Sequence, residues 1–163
     1  MSKAVQDAFN EQIKAELYSS YLYLAMSAYC QSAGYQGFAN WLRVQSGEEK
    51  AHAMKFFDFI QGRGGRPMLK SLEAPPVNYP SPVECMEKAH EHEQKISGMI
   101  HKLVELSQKE KDYPAQVFLQ WFVKEQVEEE QNVATILDQI KLVGKQPPSL
   151  FLIDRSLAAR KAD

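Results

Sequence analysis

Residues 47–60 read Gly47-Glu48-Glu49-Lys50-Ala51-His52-Ala53-Met54-Lys55-Phe56-Phe57-Asp58-Phe59-Ile60. Met54, Phe56, Phe57, Phe59 and Ile60 look like protein interior, yet acids and an imidazole stand directly before them. Alternating steps of three and four, the spacing that keeps side chains on one helix face, trace a stripe Phe38, Leu42, Gln45, Glu49, His52, Phe56, Phe59. Charge in the middle of an apolar stripe needs a partner, because an unpaired buried carboxylate carries a large desolvation penalty.

The rest of the chain repeats the pattern. All eight prolines, at 67, 75, 76, 80, 82, 114, 147 and 148, mark connections and leave three long proline-free spans. Gly34 and Gly37 divide the first span, so four long helices are expected at about 3–33, 37–63, 82–107 and 114–143, with a short fifth at about 149–160. Ser81-Pro82-Val83-Glu84 has the form of a capping box with proline at the first helical position. Asp112 or Tyr113 before Pro114 opens the fourth helix, and Gly144 stands where a left-handed terminator is wanted. Residues 64–80 form a proline-rich connection that, fully extended, reaches roughly 55 Å. The second helix is shorter, at roughly 40 Å. A connection running the length of the bundle makes the second and third helices parallel, whereas the short links near Gly34 and Asp112 make antiparallel neighbours. The expected fold is all-α: one domain over residues 1–163, a four-helix bundle with one long crossover.

The first stripe is Phe9, Ile13, Glu16, Ser20, Tyr23, Ser27, Cys30; the third is Met86, Ala89, Glu93, Ile96, Ile100, Leu103. The fourth is Ala115, Leu119, Phe122, Gln126, Glu129, Val133, Ile136, Ile140. Each is acidic near its middle, and helix midpoints lie at one level of a bundle whichever way the helices run. Glu16, Glu49, Glu93 and Glu129 should therefore converge, and no lysine or arginine on the stripes neutralises them. Two divalent cations would cancel the four charges, and oxygen ligands with one imidazole suit iron or manganese better than magnesium or calcium. Tyr23 and Trp121 read chiefly as core aromatics, although Tyr23, two turns from Glu16 on the same face, can also hydrogen-bond a ligating carboxylate. His90, His92 and His101 read as surface residues.

Composition narrows the function. A formal charge of −2 without a Lys/Arg cluster argues against nucleic acid as a partner. Cys30 and Cys85 have no metal-binding spacing and read as free thiols in a reducing compartment. With no apolar leader and no run long enough for a membrane span, a cytoplasmic protein without membrane contact is expected.

With these motifs in view, the chain resembles the non-haem, prokaryotic-type ferritins. The likeness lies in NEQIKAELYSSYLYLAMSAY around Glu16, GEEKAHAMKFFDFI around Glu49 and His52, HEHEQKI around Glu93, and QWFVKEQVEEEQ across Glu125 to Glu130. It implies a first ferroxidase iron site of Glu16, Glu49 and His52 with Gln126 nearby, and a second of Glu49, Glu93 and Glu129, with Glu49 bridging. It also implies a third iron site from Glu48, Glu125, Glu128 and Glu129. Glu125, Glu128 and Glu129 share a helix face, while Glu48 is turned about 100° from Glu49. Bacterioferritins place a haem-ligating methionine after the bridging glutamate and Glu-x-x-His on the fourth helix; Lys50 and Gln126-x-x-Glu129 stand here, so haem is not expected. Rubrerythrins need a cysteine module that this chain lacks, and Gln116 and Leu119 replace the acids lining the three-fold pores of animal ferritins.

The resemblance implies ferroxidase chemistry, iron(II) oxidised by dioxygen or hydrogen peroxide, with ferric oxide stored in a homo-oligomeric, 24-subunit cage. The fifth helix, with apolar Leu150, Phe151, Ile153 and Leu157, would pack near its four-fold axes. The alternatives are a dinuclear oxidoreductase, a peroxidase or manganese catalase-like protein that never stores metal, and a non-enzymatic bundle that at most nucleates mineral.

Overall fold

The computed structural model describes residues 1–161. Five helices follow one another: α1 (Lys3–Ser32), α2 (Gln36–Gly62), α3 (Pro82–Lys109), α4 (Tyr113–Val143) and α5 (Pro147–Leu157). The first four match the spans expected from proline and glycine punctuation to within two residues at each end. The fifth starts two residues early, because Pro147 and Pro148 occupy first-turn positions that lack an intrahelical acceptor anyway. It ends at Leu157, short of 160.

Helix ends show which local signals operate. Ser81 Oγ accepts from Glu84 N at 3.2 Å, the serine half of the expected box, while the Glu84 carboxylate lies 3.6 Å from Lys88. Asp112, not Tyr113, caps α4, accepting from Ala115 N at 3.1 Å. Gly144 has the positive φ of 90° that suits glycine, but its ψ of 165° is extended, so it swings the chain away instead of closing a left-handed turn. Tyr35 gives α2 no side-chain cap; Asp154 of α5 does so, accepting from Phe38 N at 2.9 Å. The two helices meet so closely that a Cβ on Gly37 would stand 1.6 Å from the Asp154 carbonyl oxygen.

The crossover runs along α1. Gly65 abuts Gln6, Met68 N donates to Asn10 Oδ1 at 2.8 Å, Lys70 pairs with Glu11, and Tyr79 packs on Tyr29 with ring centroids 5.5 Å apart. From Gln6 to Tyr29 is about 35 Å of helix, so the connection traverses most of the bundle. One apolar cluster joins residues 53–60 of α2 to 96–103 of α3 and to the opposite-running 5–13 and 115–122. Helices α2 and α3 are therefore parallel.

A second cluster holds Met26 and Cys30 of α1, Phe38 and Leu42 of α2, Met86, Val133, Ile140 and three residues of α5. Leu150, Ile153 and Leu157 are buried there as their spacing requires, but Phe151 is 57% exposed. Met54, which looks internal in the sequence, is 41% exposed, and Ile60 rather than Phe59 completes the buried face of α2. All eight residues of the α4 stripe are buried, and they are its full buried set. The thiols of Cys30 and Cys85 are buried, free and hydrogen-bonded to each other. Among the described residues no helix is long and apolar enough to cross a membrane.

Candidate metal centre

Between the two apolar clusters lies a layer of buried polar side chains: Gln12, Glu16 and Ser19 from α1, Gln45, Glu49 and His52 from α2, Glu93 from α3, and Gln126 and Glu129 from α4. The four mid-helix glutamates thus reach one level, each at most 3% exposed.

One ligand atom each from Glu16, Glu49 and His52 lie within 4.8 Å of one another. Glu16 Oε1 accepts from Gln12 Nε2 at 2.8 Å, and Glu49 Oε1 from Gln45 Nε2 at 2.8 Å. The other oxygens, Glu16 Oε2 and Glu49 Oε2, and the imidazole nitrogen His52 Nδ1 are buried without a hydrogen-bond partner. Nδ1 stands 3.5 Å from Glu49 Oε2. Gln45 Oε1 is also buried without a partner; left so, each such atom would cost about 1–3 kcal/mol, and a cation at the Glu16, Glu49 and His52 group would satisfy carboxyl oxygens and an imidazole nitrogen together.

Across the layer, Glu93 Oε1 accepts from the Tyr23 hydroxyl and Oε2 from Gln126 Nε2 at 3.2 Å. Gln126 also donates to the Glu93 carbonyl and to Ser97 Oγ, each at 3.3 Å, so its amide lies beside Glu93 rather than beside the Glu16 set. Glu129 Oε2 accepts from Gln45 Nε2 at 2.6 Å, so one amide holds carboxylates of both α2 and α4. Glu49, Glu93 and Glu129 do not form a ligand-distance trio. The second such group among the described residues is His52, Glu125 and Glu129, with His52 Nε2 at 3.8 Å from Glu125 Oε1. Glu128 is exposed and outside both groups.

The electrostatics follow from burial without countercharge. Desolvation, then the neighbouring Glu49, pushes the Glu16 carboxyl up to about 8. Desolvation and the charges of Glu93 and Glu129 drive Glu49 well above the ordinary carboxylate range. Glu93 rises to about 7 mainly through burial, and Glu129 to about 7 through burial and Glu93. Without a cation the layer is thus partly protonated near neutral pH. An ion that binds carboxylates must displace those protons.

Several residues depart from their expected places. His92, read as a surface residue, is packed against α1 with a ring nitrogen 2.7 Å from Ser19 Oγ, its ring edge-on to Tyr23 at 5.8 Å. Burial and Lys95 lower its pKa to about 4. Trp121, expected in the core, is 38% exposed, with one edge against His52 at 5.4 Å and Lys55 over its face at 4.3 Å. Tyr23 meets its expectation: it is buried and its hydroxyl donates to a site carboxylate. Gln12 and Gln45 escaped attention as donors, although each precedes its glutamate by four residues, the spacing that puts them on one helix face. Ser19 and the C-terminal Arg160 carried no such signal.

A four-helix bundle with one long crossover, closed at mid-height around inward glutamates and a Glu-x-x-His pair, defines the ferritin-like class. A family model described as a ferritin-like domain matches residues 6–143. A protein of Bacteroides fragilis named bacterial non-heme ferritin is 42% identical over 160 residues, covering 98% of this chain and 99% of its own. One of the same name from Staphylococcus haemolyticus is 38% identical over 163 residues, covering 100% and 98%. Among solved structures, an open-pore ferritin from Archaeoglobus fulgidus superposes with a TM-score of 0.97 at 45% identity, covering 99% of each chain. The chain belongs to the ferritin family, among the non-haem members.

Proposed function

We propose that this protein oxidises iron(II) to iron(III) at the mid-bundle centre, using dioxygen or hydrogen peroxide, and stores the hydrated ferric oxide within a shell of 24 subunits in the cytoplasm. Iron is here substrate and cargo. The observation that carries the reading is the buried trio Glu16, Glu49 and His52, which has ligand atoms within 4.8 Å of one another and in which each residue keeps one buried atom without a hydrogen-bond partner.

In this reading Glu16, Glu49 and His52 hold the first iron, Glu49, Glu93 and Glu129 the second, and Glu49 bridges. Two adjacent iron(II) ions supply two electrons together. These reduce dioxygen, with two protons, to hydrogen peroxide, or reduce hydrogen peroxide, with two protons, to two waters. Carboxylates favour the product because the extra charge of iron(III) is held more strongly by hard anionic oxygens. The Tyr23 hydroxyl and the Gln126 amide fix the Glu93 carboxylate, and Gln45 ties Glu49 to Glu129, so the ligands are oriented before metal arrives. Glu48, Glu125, Glu128 and Glu129 form a third, peripheral iron site. Haem has no place in this scheme. For assembly, support comes from exposed apolar side chains such as Leu24, Val117, Val127, Leu142, Phe151 and Leu152, more than an isolated chain would present to water.

Stopped-flow absorbance of ferric species on mixing with iron(II) and oxygen tests the centre. Glu49→Ala should slow the initial phase by more than the roughly 10–100-fold typical of second-shell changes around a metal; an equal rate would remove the dinuclear ferroxidase. Aerobic addition of many iron equivalents tests storage. Iron that stays soluble in a large protein-bound particle supports it, and iron that precipitates outside the protein leaves a dinuclear oxidoreductase that does not store metal.

A further inference from the structure

A cation from a distant part of the chain reaches the acidic face of the centre. After α5 the backbone is drawn onto α2 by Asn40, whose side-chain amide donates to the carbonyl oxygens of Arg160 at 2.9 Å and Leu157 at 3.4 Å. The Arg160 guanidinium then lies over the Trp41 ring, 4.3 Å from its centroid, and donates from Nη1 to the Trp41 carbonyl at 3.4 Å. Its Nη2 donates to Glu48 Oε2 at 2.5 Å. Both side chains are largely covered, at 18% and 25% exposure, so the pair is shielded from water more than an ordinary surface bridge. Glu48 adjoins the bridging Glu49 in sequence, and its charge is felt at Glu129.

We propose that Arg160 is a positioning residue for the third iron site: its guanidinium holds Glu48 while that site is empty and opposes a cation there, which must bind against its charge or displace it. The inference rests on the third site proposed above. The physical reason is competition for one carboxylate. The guanidinium already neutralises Glu48 and occupies Oε2, so a cation at this carboxylate either binds against that neighbouring positive charge or breaks a charge-assisted hydrogen bond. Arg160 touches none of Glu16, Glu49, His52 or Glu93 in the contacts described, so the competition falls on the third site alone. The expected consequence is order: the dinuclear centre fills first and the third site only at higher iron(II). Because Trp41 and Asn40 hold the tail independently of Glu48, the guanidinium has somewhere to stay when it is displaced.

The test is anaerobic iron(II) titration of the assembled protein by calorimetry, with anomalous diffraction from iron-soaked crystals to identify each site. In Arg160→Gln the third equivalent should bind about three- to tenfold more tightly while the first two keep their affinities, and Arg160→Lys, which keeps the charge, should fall between this variant and the parent. In a Glu48→Gln background the Arg160→Gln change should have no effect on metal binding. A purely structural clamp predicts otherwise: a lowered melting temperature and an unchanged or weakened third equivalent. That outcome, or an equal effect in both backgrounds, overturns the proposal. If both the parent protein and Arg160→Gln bind only two equivalents, with no iron density at Glu48, the third-site reading itself fails; loss of the first two equivalents in Glu49→Ala would still test the dinuclear centre separately.

Discussion

The carboxylates buried at mid-height and the one buried at the corner between α3 and α4 are held in opposite ways. At the corner between α3 and α4, Asp112 caps a helix and receives both arms of Arg63, at 2.8 and 3.4 Å. Burial pushes the Asp112 carboxyl up, but the guanidinium and the Ala115 N–H outweigh it and hold the group below the ordinary carboxylate range. At mid-height Glu16, Glu49, Glu93 and Glu129 are buried more deeply and have no guanidinium beside them, and every one of them is raised. The corner carries its own cation because its task is to join helices. The middle is left without one, and its stability is traded for affinity toward an ion from outside.

Among single substitutions the largest stability effect should come from breaking the corner. Asp112→Ala removes a helix cap and strands Arg63, and should lower the free energy of unfolding by about 2–3 kcal/mol in denaturant titrations. A loss below half that size would mean Arg63 finds solvent easily and the contrast is weaker than drawn.

Read across pH, with no substitution, the middle gives the opposite signature in the metal-free protein. Glu16, Glu93 and Glu129 have folded-state pKa values of about 8, 7 and 7, all above the unfolded value near 4.5. Between those limits the folded chain binds more protons than the unfolded one, so the stability they contribute is full at pH 4.5 and below and is lost as pH rises toward 8. Thermal melts of the apo protein should fall across that window, and Glu49→Gln should raise the melting temperature most at its upper end. Added iron(II), kept anaerobic, should reverse the trend, since binding needs the deprotonated ligands. A flat apo profile would show that the layer is solvated in solution. The smallest effect is at the corner again: Lys111 sits at a φ of 52°, and Lys111→Gly should stabilise by about 0.5–1 kcal/mol, without changing iron oxidation.

How far the sequence could be read depends on the reach of each interaction. The α4 stripe from Ala115 to Ile140 was legible to the last residue because one period governs it throughout. Convergence of the four glutamates followed from helix midpoints, and the Tyr23–Glu93 bond from Tyr23 facing the same way as Glu16. His92 was misread because α3 covers more than a single stripe: Tyr18, Ser19 and Tyr23 of α1 pack on its ring, and the period of α3 alone does not announce a neighbour on that flank. Trp121 and Met54 failed the other way, as large apolar residues beside a core rather than in it. Arg160 meets Glu48 across 112 residues, a distance no periodicity spans. Gln126 was expected near the first iron site, and its amide donates to Glu93, since motif spacing fixes a face but not which neighbour on that face an amide will choose.

The polar layer also divides the molecule. The cluster around Phe9, Phe56 and Phe122 and the cluster around Phe38, Met86 and Ile140 share no residue; between them lie carboxylates, amides and one imidazole. In mechanical terms the helices are continuous beams, but the filling between them is interrupted at mid-span. Such a beam frame is weakest in shear at the gap, where opposed helices can slide or part by small amounts without disturbing either packed end. An ion gripped by α1 and α2 on one side and by α3 and α4 on the other would act as a rivet through that gap.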